Sequence, residues 1–204
     1  MWGENVNELA EKIANPALSV PARRSAAVLY SSQYASIETQ PEGEAVSAVR
    51  TYAKHLGGLL DVVEDKTVPG DLRAMVLEFP VASPFEKFSA TAAPAATPDL
   101  DFTIPDGAPD LDLADIFGNA AEAVRTALPQ HINFHVIAER ILRIATETDN
   151  EEVRTKGLLF LEKFVHNANH VFGESLAPDQ FVETIDITAP APQAGTHRHL
   201  TVVK

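Results

Sequence analysis

Phe134-His135-Val136-Ile137-Ala138-Glu139-Arg140-Ile141-Leu142-Arg143-Ile144-Ala145 is the stretch that decides the fold class. Phe134, Ile137, Ala138, Ile141, Ile144 and Ala145 recur at steps of three and four, the period that gathers side chains on one face of an α-helix. The next segment repeats the pattern with Val153, Phe160, Leu161, Phe164, Val165 and Val171. Thr148-x-x-Glu151 and Asp149-x-x-Glu152 offer overlapping capping boxes ahead of it, and Gly173 is placed to stop it. Upstream, Ile116, Ala120, Ala123, Val124 and Ala127 predict a helix that ends before Pro129.

The N-terminal part reads the same way. Val6, Leu9, Ala10 and Ile13 make a short amphipathic helix closed by Pro16. Pro21 sits where a first helical turn tolerates it, and Ala26, Leu29, Tyr30 and Tyr34 carry the apolar side of that segment. Thr39-x-x-Glu42 predicts a capped helix through Val46, Val49, Ala53 and Leu56, weakened at Gly57-Gly58. Pro69-Gly70-Asp71 marks a turn, and Leu72 to Phe79 follows as a short helix or a buried strand. No repeat of solenoid length is evident. The fold expected is mainly α: bundle-like packing of two helical halves, with a small extended or β-hairpin arm at the C-terminus.

The predicted organisation is a helical half at 1–80, a linker at 81–115, a second helical half at 116–176 and an arm at 177–204. Prolines at 84, 94, 98, 105 and 109 and seven acidic residues against Lys87 give the linker its character. Within it, Pro98-Asp99-Leu100-Asp101-Phe102 is echoed by Pro109-Asp110-Leu111-Asp112-Leu113. In an extended chain Leu100 with Phe102, and Leu111 with Leu113, would face away from the aspartates. Such a segment suits docking on a partner, wrapping over the chain's own helices, or plain linkage. The arm holds two extended-looking runs, 181–188 and 200–204, around a proline-rich break. His197-Arg198-His199 is its one basic patch, suited to an acidic protein surface.

Composition narrows the function. The 204 residues carry 16 basic and 29 acidic side chains, a net charge of −13, which disfavours direct nucleic-acid binding and adhesion to anionic lipid. There is no cysteine, so disulfides, thiol nucleophiles, cysteine zinc sites and iron–sulfur clusters are excluded. No apolar run approaches the roughly 20 residues of a membrane span, and the expected location is the cytoplasm or an assembled particle. Neither common phosphate-binding glycine motif is present, nor H-E-x-x-H. Gly173-Glu174-Ser175-Leu176-Ala177 is half of a nucleophile elbow and follows a helix rather than a strand.

Histidine is the one residue type that suggests chemistry. His131, His135 and Glu139 are spaced by four, as are Glu162, His166 and His170. Imidazole with carboxylate on one helical face suits zinc or non-haem iron. The pieces His135-x-x-x-Glu139 and His166-x-x-x-His170 resemble the two central ligand pairs of hemerythrin-type di-iron bundles, a resemblance that implies a metal-binding helical protein. Projected on a helix, however, both rows slide away from the apolar stripes, whereas ligands of a bundle-core site project inward.

Two functions are therefore expected. The first is a non-enzymatic structural subunit without cofactor, acting by protein–protein contacts in a homo-oligomer or larger assembly such as a virus or phage particle. The second is a histidine/carboxylate metal protein with oxidative or hydrolytic chemistry, using zinc or iron.

Overall fold

A computed structural model describes residues 2–93 and 113–176, and every regular element among them is helical. In chain order these are α1 (Trp2–Ala14), α2 (Val20–Ser32), α3 (Glu42–Glu64), α4 (Gly70–Val76), α5 (Ser83–Ala92), α6 (Leu113–His131), α7 (Phe134–Glu147) and α8 (Glu151–His170). A 3₁₀ turn, Ile37–Thr39, precedes α3, and a π-helical turn, Leu77–Ala82, joins α4 to α5. Pro80 lies in that widened turn. A proline ring collides with the carbonyl four residues back in a regular α-helix, and the wider π turn is one way a helix accommodates such an insult.

One local device occurs at three helix-to-helix turns. After α1, Asn15 Oδ1 accepts the N–H of Ala17 at 2.9 Å. After α3, Asp65 Oδ1 accepts that of Thr67 at 2.8 Å. After α7, Thr148 Oγ1 accepts that of Asn150 at 3.2 Å. Each following helix carries an arginine whose own N–H bonds the carbonyl at the cap: Arg23 to Ser19, Arg73 to Pro69 and Arg154 to Asn150.

Each guanidinium then reaches back to the end of the preceding helix. Arg23 Nε donates to Ile13 O at 2.8 Å, Arg73 Nε to Val63 O at 2.6 Å, and an Arg154 Nη to Thr148 O at 2.9 Å. The last carbonyls of a helix lack intrahelical donors and carry the negative end of its dipole, so a cation there satisfies both. Arg23 and Arg73 are buried. Three helix pairs, α1–α2, α3–α4 and α7–α8, thus share one turn device, and α5 and α6 stand outside it.

The pairs stack as three tiers in two layers. In one layer α3 packs between α1 and α6 and touches α7. In the other, α4 and the π turn lie between α2 and α8. Side chains knit the tiers. Arg140 of α7 binds Asp61 at 2.7 Å and Glu64 at 3.0 Å on α3, and Arg143 binds Glu64 at 2.8 Å. Lys156 and Lys163 of α8 pair with Glu78 and Glu86 at 2.6 and 2.8 Å, and Arg24 of α2 pairs with Asp71 of α4. Gly70 abuts the Asn150 side chain so closely that a Cβ there would displace it. That side chain caps α8 by accepting the N–H of Val153 at 3.0 Å.

Most of the described part of the expected linker is helical: Leu77–Ala82 ends in it, Ser83–Ala92 is α5, and α6 begins at Leu113. Pro84 fits the first turn of α5, where a helix tolerates proline. Phe85 and Phe88 are completely buried. Phe85 stacks at ring-centroid distances of 6.3, 6.0, 4.7 and 6.0 Å on Phe134, Phe160, Phe164 and Phe172. Phe88 instead contacts Tyr34 at 5.7 Å and Tyr52 at 5.5 Å. α5 therefore joins the two halves into one core. Residues 94–112 and the arm at 177–204 lie outside the described residues.

Three smaller expectations change. α6 runs through Pro129 to His131. α3 starts after Pro41 without a side-chain cap, because Thr39 Oγ1 donates to Ser36 O instead. Asn150, rather than Thr148 or Asp149, caps α8. Of the two readings left open for Leu72 to Phe79, the structure has the helix. Gly173 does end the last helical segment: its φ of 73° turns the chain so that the N–H of Glu174 reaches Ala168 O at 2.9 Å.

Phe85→Ala should lower stability by about 3–5 kcal/mol, the range for deleting a buried phenylalanine. Urea titration followed by circular dichroism should show one shifted transition; an unchanged midpoint would refute the shared core. Arg73→Ala should cost about 2 kcal/mol by leaving Val63 O without its charged donor. Differential denaturation against the exposed control Arg125→Ala measures it.

Candidate functional site

The histidine rows come first because sequence singled them out. His131 ends α6 and His135 lies on α7. Between them Asn133 stops one helix and caps the next, its Oδ1 accepting the N–H of Val136 at 3.1 Å. His131, His135 and Glu139 therefore do not share one helix, as their spacing suggested. His131 Nε2 accepts from Arg50 Nε of α3 at 3.2 Å. Glu162, His166 and His170 do share a helix, α8, and the rings of His166 and His170 lie 4.5 Å apart. All six side chains are exposed, as the helical projection indicated. Among the described residues no group of three or more His, Asp or Glu side chains is placed to hold a metal ion.

The buried polar groups converge elsewhere, where α1, α2 and α3 meet. His55 Nε2 donates to Asn7 Oδ1 at 2.8 Å, and its Nδ1 accepts from Tyr30 Oη at 3.3 Å. Tyr34 Oη donates in turn to Tyr30 Oη at 3.3 Å, and Tyr52 Oη donates to Val81 O at 2.6 Å in the π turn. Tyr30, Tyr34 and Tyr52 are the chain's only tyrosines, and all are fully buried. Burial pushes all three phenols well above their ordinary range, so they stay neutral and serve as hydrogen-bonding struts. Burial also lowers the pKa of His55, with help from Lys54 and against the pull of Glu11. With Asn7 Oδ1 and Tyr30 as partners, the chain of donors is complete only for a neutral imidazole.

Charge is likewise absorbed by packing. Burial raises the Glu64 carboxyl, but hydrogen bonds from Arg140 and Arg143 outweigh it and hold the group below the usual range. The same contacts with Glu64 raise the pKa of Arg140. An open recess of about 420 Å³ lies where α2 turns into α3, lined by the hydroxyls and amides of Ser32, Gln33, Ser36, Gln40 and Ser47 with Glu44. It holds no buried acid–base pair, and its lining suits polar surface contact.

The residues expected to bind partners fall mostly beyond view. Leu100, Phe102, Leu111, His197, Arg198 and His199 lie outside the described residues, and Leu113 is the first residue of α6. Sequence reading missed the turn arginines, although Asn15-x-x-Leu18 with Arg23 and Asp65-x-x-Val68 with Arg73 share one spacing. It also placed Leu29 on the apolar side of α2, whereas Leu29 is 52% exposed and Val28 46%. No helix among the described residues is long and apolar enough to cross a membrane. Compared with known proteins, the chain matches no family model, no curated protein and no solved structure.

The His55 contacts predict a pH dependence. The unfolded chain binds a proton at this residue near pH 6.5, whereas the folded chain resists it until lower pH. The cost is absent above that pH, grows as pH falls below it, and levels off under the folded pKa. Urea midpoints measured from about pH 8 to 5.5 should fall more steeply in the wild type than in His55→Gln. Parallel curves would remove His55 as the cause.

Proposed function

We propose that this chain is a non-enzymatic assembly subunit that acts through protein–protein contacts, in a homo-oligomer or a larger assembly. The observation that carries the proposal is the stack of helix pairs closed by Arg23, Arg73 and Arg154. Helix pairs packed side by side present long helical faces whose geometry is set by the packing. Such faces serve as binding surfaces because their side chains are already ordered, which lowers the entropy cost of association.

The allocation of polar groups supports the same reading. Tyr30, Tyr34, Tyr52 and His55 are consumed in joining α1, α2 and α3, and Glu64 in joining α3 to α7. Ion pairs between tiers fix their register, which keeps the outer faces in constant relation. A net charge of −13 adds solubility and disfavours nonspecific association with other acidic macromolecules. A subunit of a virus or phage particle is one setting in which a small, stiff acidic module of this kind would be used.

A native mass spectrum of untagged protein purified without chelator tests the proposal. The expected result is a multimer or a defined complex at the mass of its chains. A monomer heavier by one or two transition-metal ions, and losing them in the double variant His166→Ala/His170→Ala, would overturn it and install the metal reading.

A further inference from the structure

α2 is the one described helix without an aspartate or glutamate. Its two charges are already engaged: Arg23 is buried on Ile13 O, and Arg24 pairs with Asp71. α2 packs on α1, α4 and the π turn. The side left over presents Pro21, Ala22, Ser25, Val28, Leu29 and Ser32, all exposed and all uncharged. Val28 and Leu29 are two of four large apolar residues so exposed among the described residues, at 46% and 52%.

We propose that this face is a self-association surface, on which α2 of a second copy packs antiparallel about a twofold axis near Ser25. The inference rests on the assembly reading and names its partner. The choice of a second copy follows from charge. Two chains of −13 each repel over most approaches, and contact costs least where neither presents a carboxylate. A basic partner would be drawn instead to the acid-bearing helices, where attraction is available. Interface centres are depleted in charged side chains, and a twofold contact sets one patch against itself, which an uncharged patch permits.

The local shape agrees. Ala22, Ser25 and Ser32 are short, so two helices can approach closely, while Val28 and Leu29 flank them and supply apolar area. A helix of this length spans about 20 Å, which places the contact at the small end of specific interfaces and implies a reversible, concentration-dependent dimer.

Sedimentation velocity of the full chain over a concentration series tests this. The wild type should pass from monomer to dimer, and Leu29→Glu should weaken the dimer by about tenfold or more without changing its thermal melt. Ser25→Glu and Ser25→Lys should each be monomeric alone and dimerise when mixed, because the axis sets the two positions side by side. A dimer unchanged by Leu29→Glu removes α2 as the contact and leaves the assembly reading standing. A wild type monomeric at every concentration overturns the self-contact, while the native mass spectrum decides the assembly reading separately. Protection of Val28 and Leu29 from hydroxyl-radical labelling only when a different protein is added would give the face to that protein and likewise overturn the self-contact.

Discussion

Phe85 and Phe88 lie one helical turn apart on α5, and each is buried in a different aromatic cluster. Phe85 belongs with Phe134, Phe160, Phe164 and Phe172 of the C-terminal half, while Phe88 belongs with Tyr34 and Tyr52 of the N-terminal half. Ring pairs of this kind add to the apolar area they bury, and here they also fix where α5 must sit between the halves. The π turn ahead of α5 sets the phase at which the two rings emerge, and Tyr52 secures that turn through Val81 O. One helix thus carries a ring into each cluster.

Around this centre the turn arginines do a second job. A buried guanidinium is costly unless its donors are met, and here the acceptors are helix-terminal carbonyls that also need a donor. The same side chains look toward the next tier. Asp65 at the second turn offsets part of the cost of burying Arg23, and an Arg73 Nη lies 3.5 Å from Thr148 Oγ1 at the third. The turns are therefore linked as well as the helices. Ion pairs such as Lys156–Glu78 and Lys163–Glu86 lie closer to solvent and add little energy, but they hold register between tiers.

This economy bears on function. The tyrosines, His55, Glu64 and the turn arginines are all engaged in packing. Among the described residues, the surface includes the uncharged side of α2, the polar recess beside it, and the exposed histidines of α6, α7 and α8. The assembly proposal builds on the first of these and assigns no chemistry to the others.

Much of the secondary structure was legible in sequence. Three- and four-residue apolar steps in 134–145 and 153–171, Pro16 and Gly173 as stops, and Pro21 in a first turn are local signals that follow from helix geometry and backbone sterics. These determined a mainly α chain. Tertiary structure alone decided the rest. Whether Pro84 begins a helix or a linker depends on Phe85 and Phe88 finding two aromatic clusters distant in sequence. Whether His131 and His135 share a helix depends on Asn133, whose side chain caps α7 once Phe134 is drawn into the core. Whether Leu29 is buried depends on which side of α2 meets α1 and α4. In each case the local preference is worth less than the burial that opposes it, and burial is fixed only when the tiers stack.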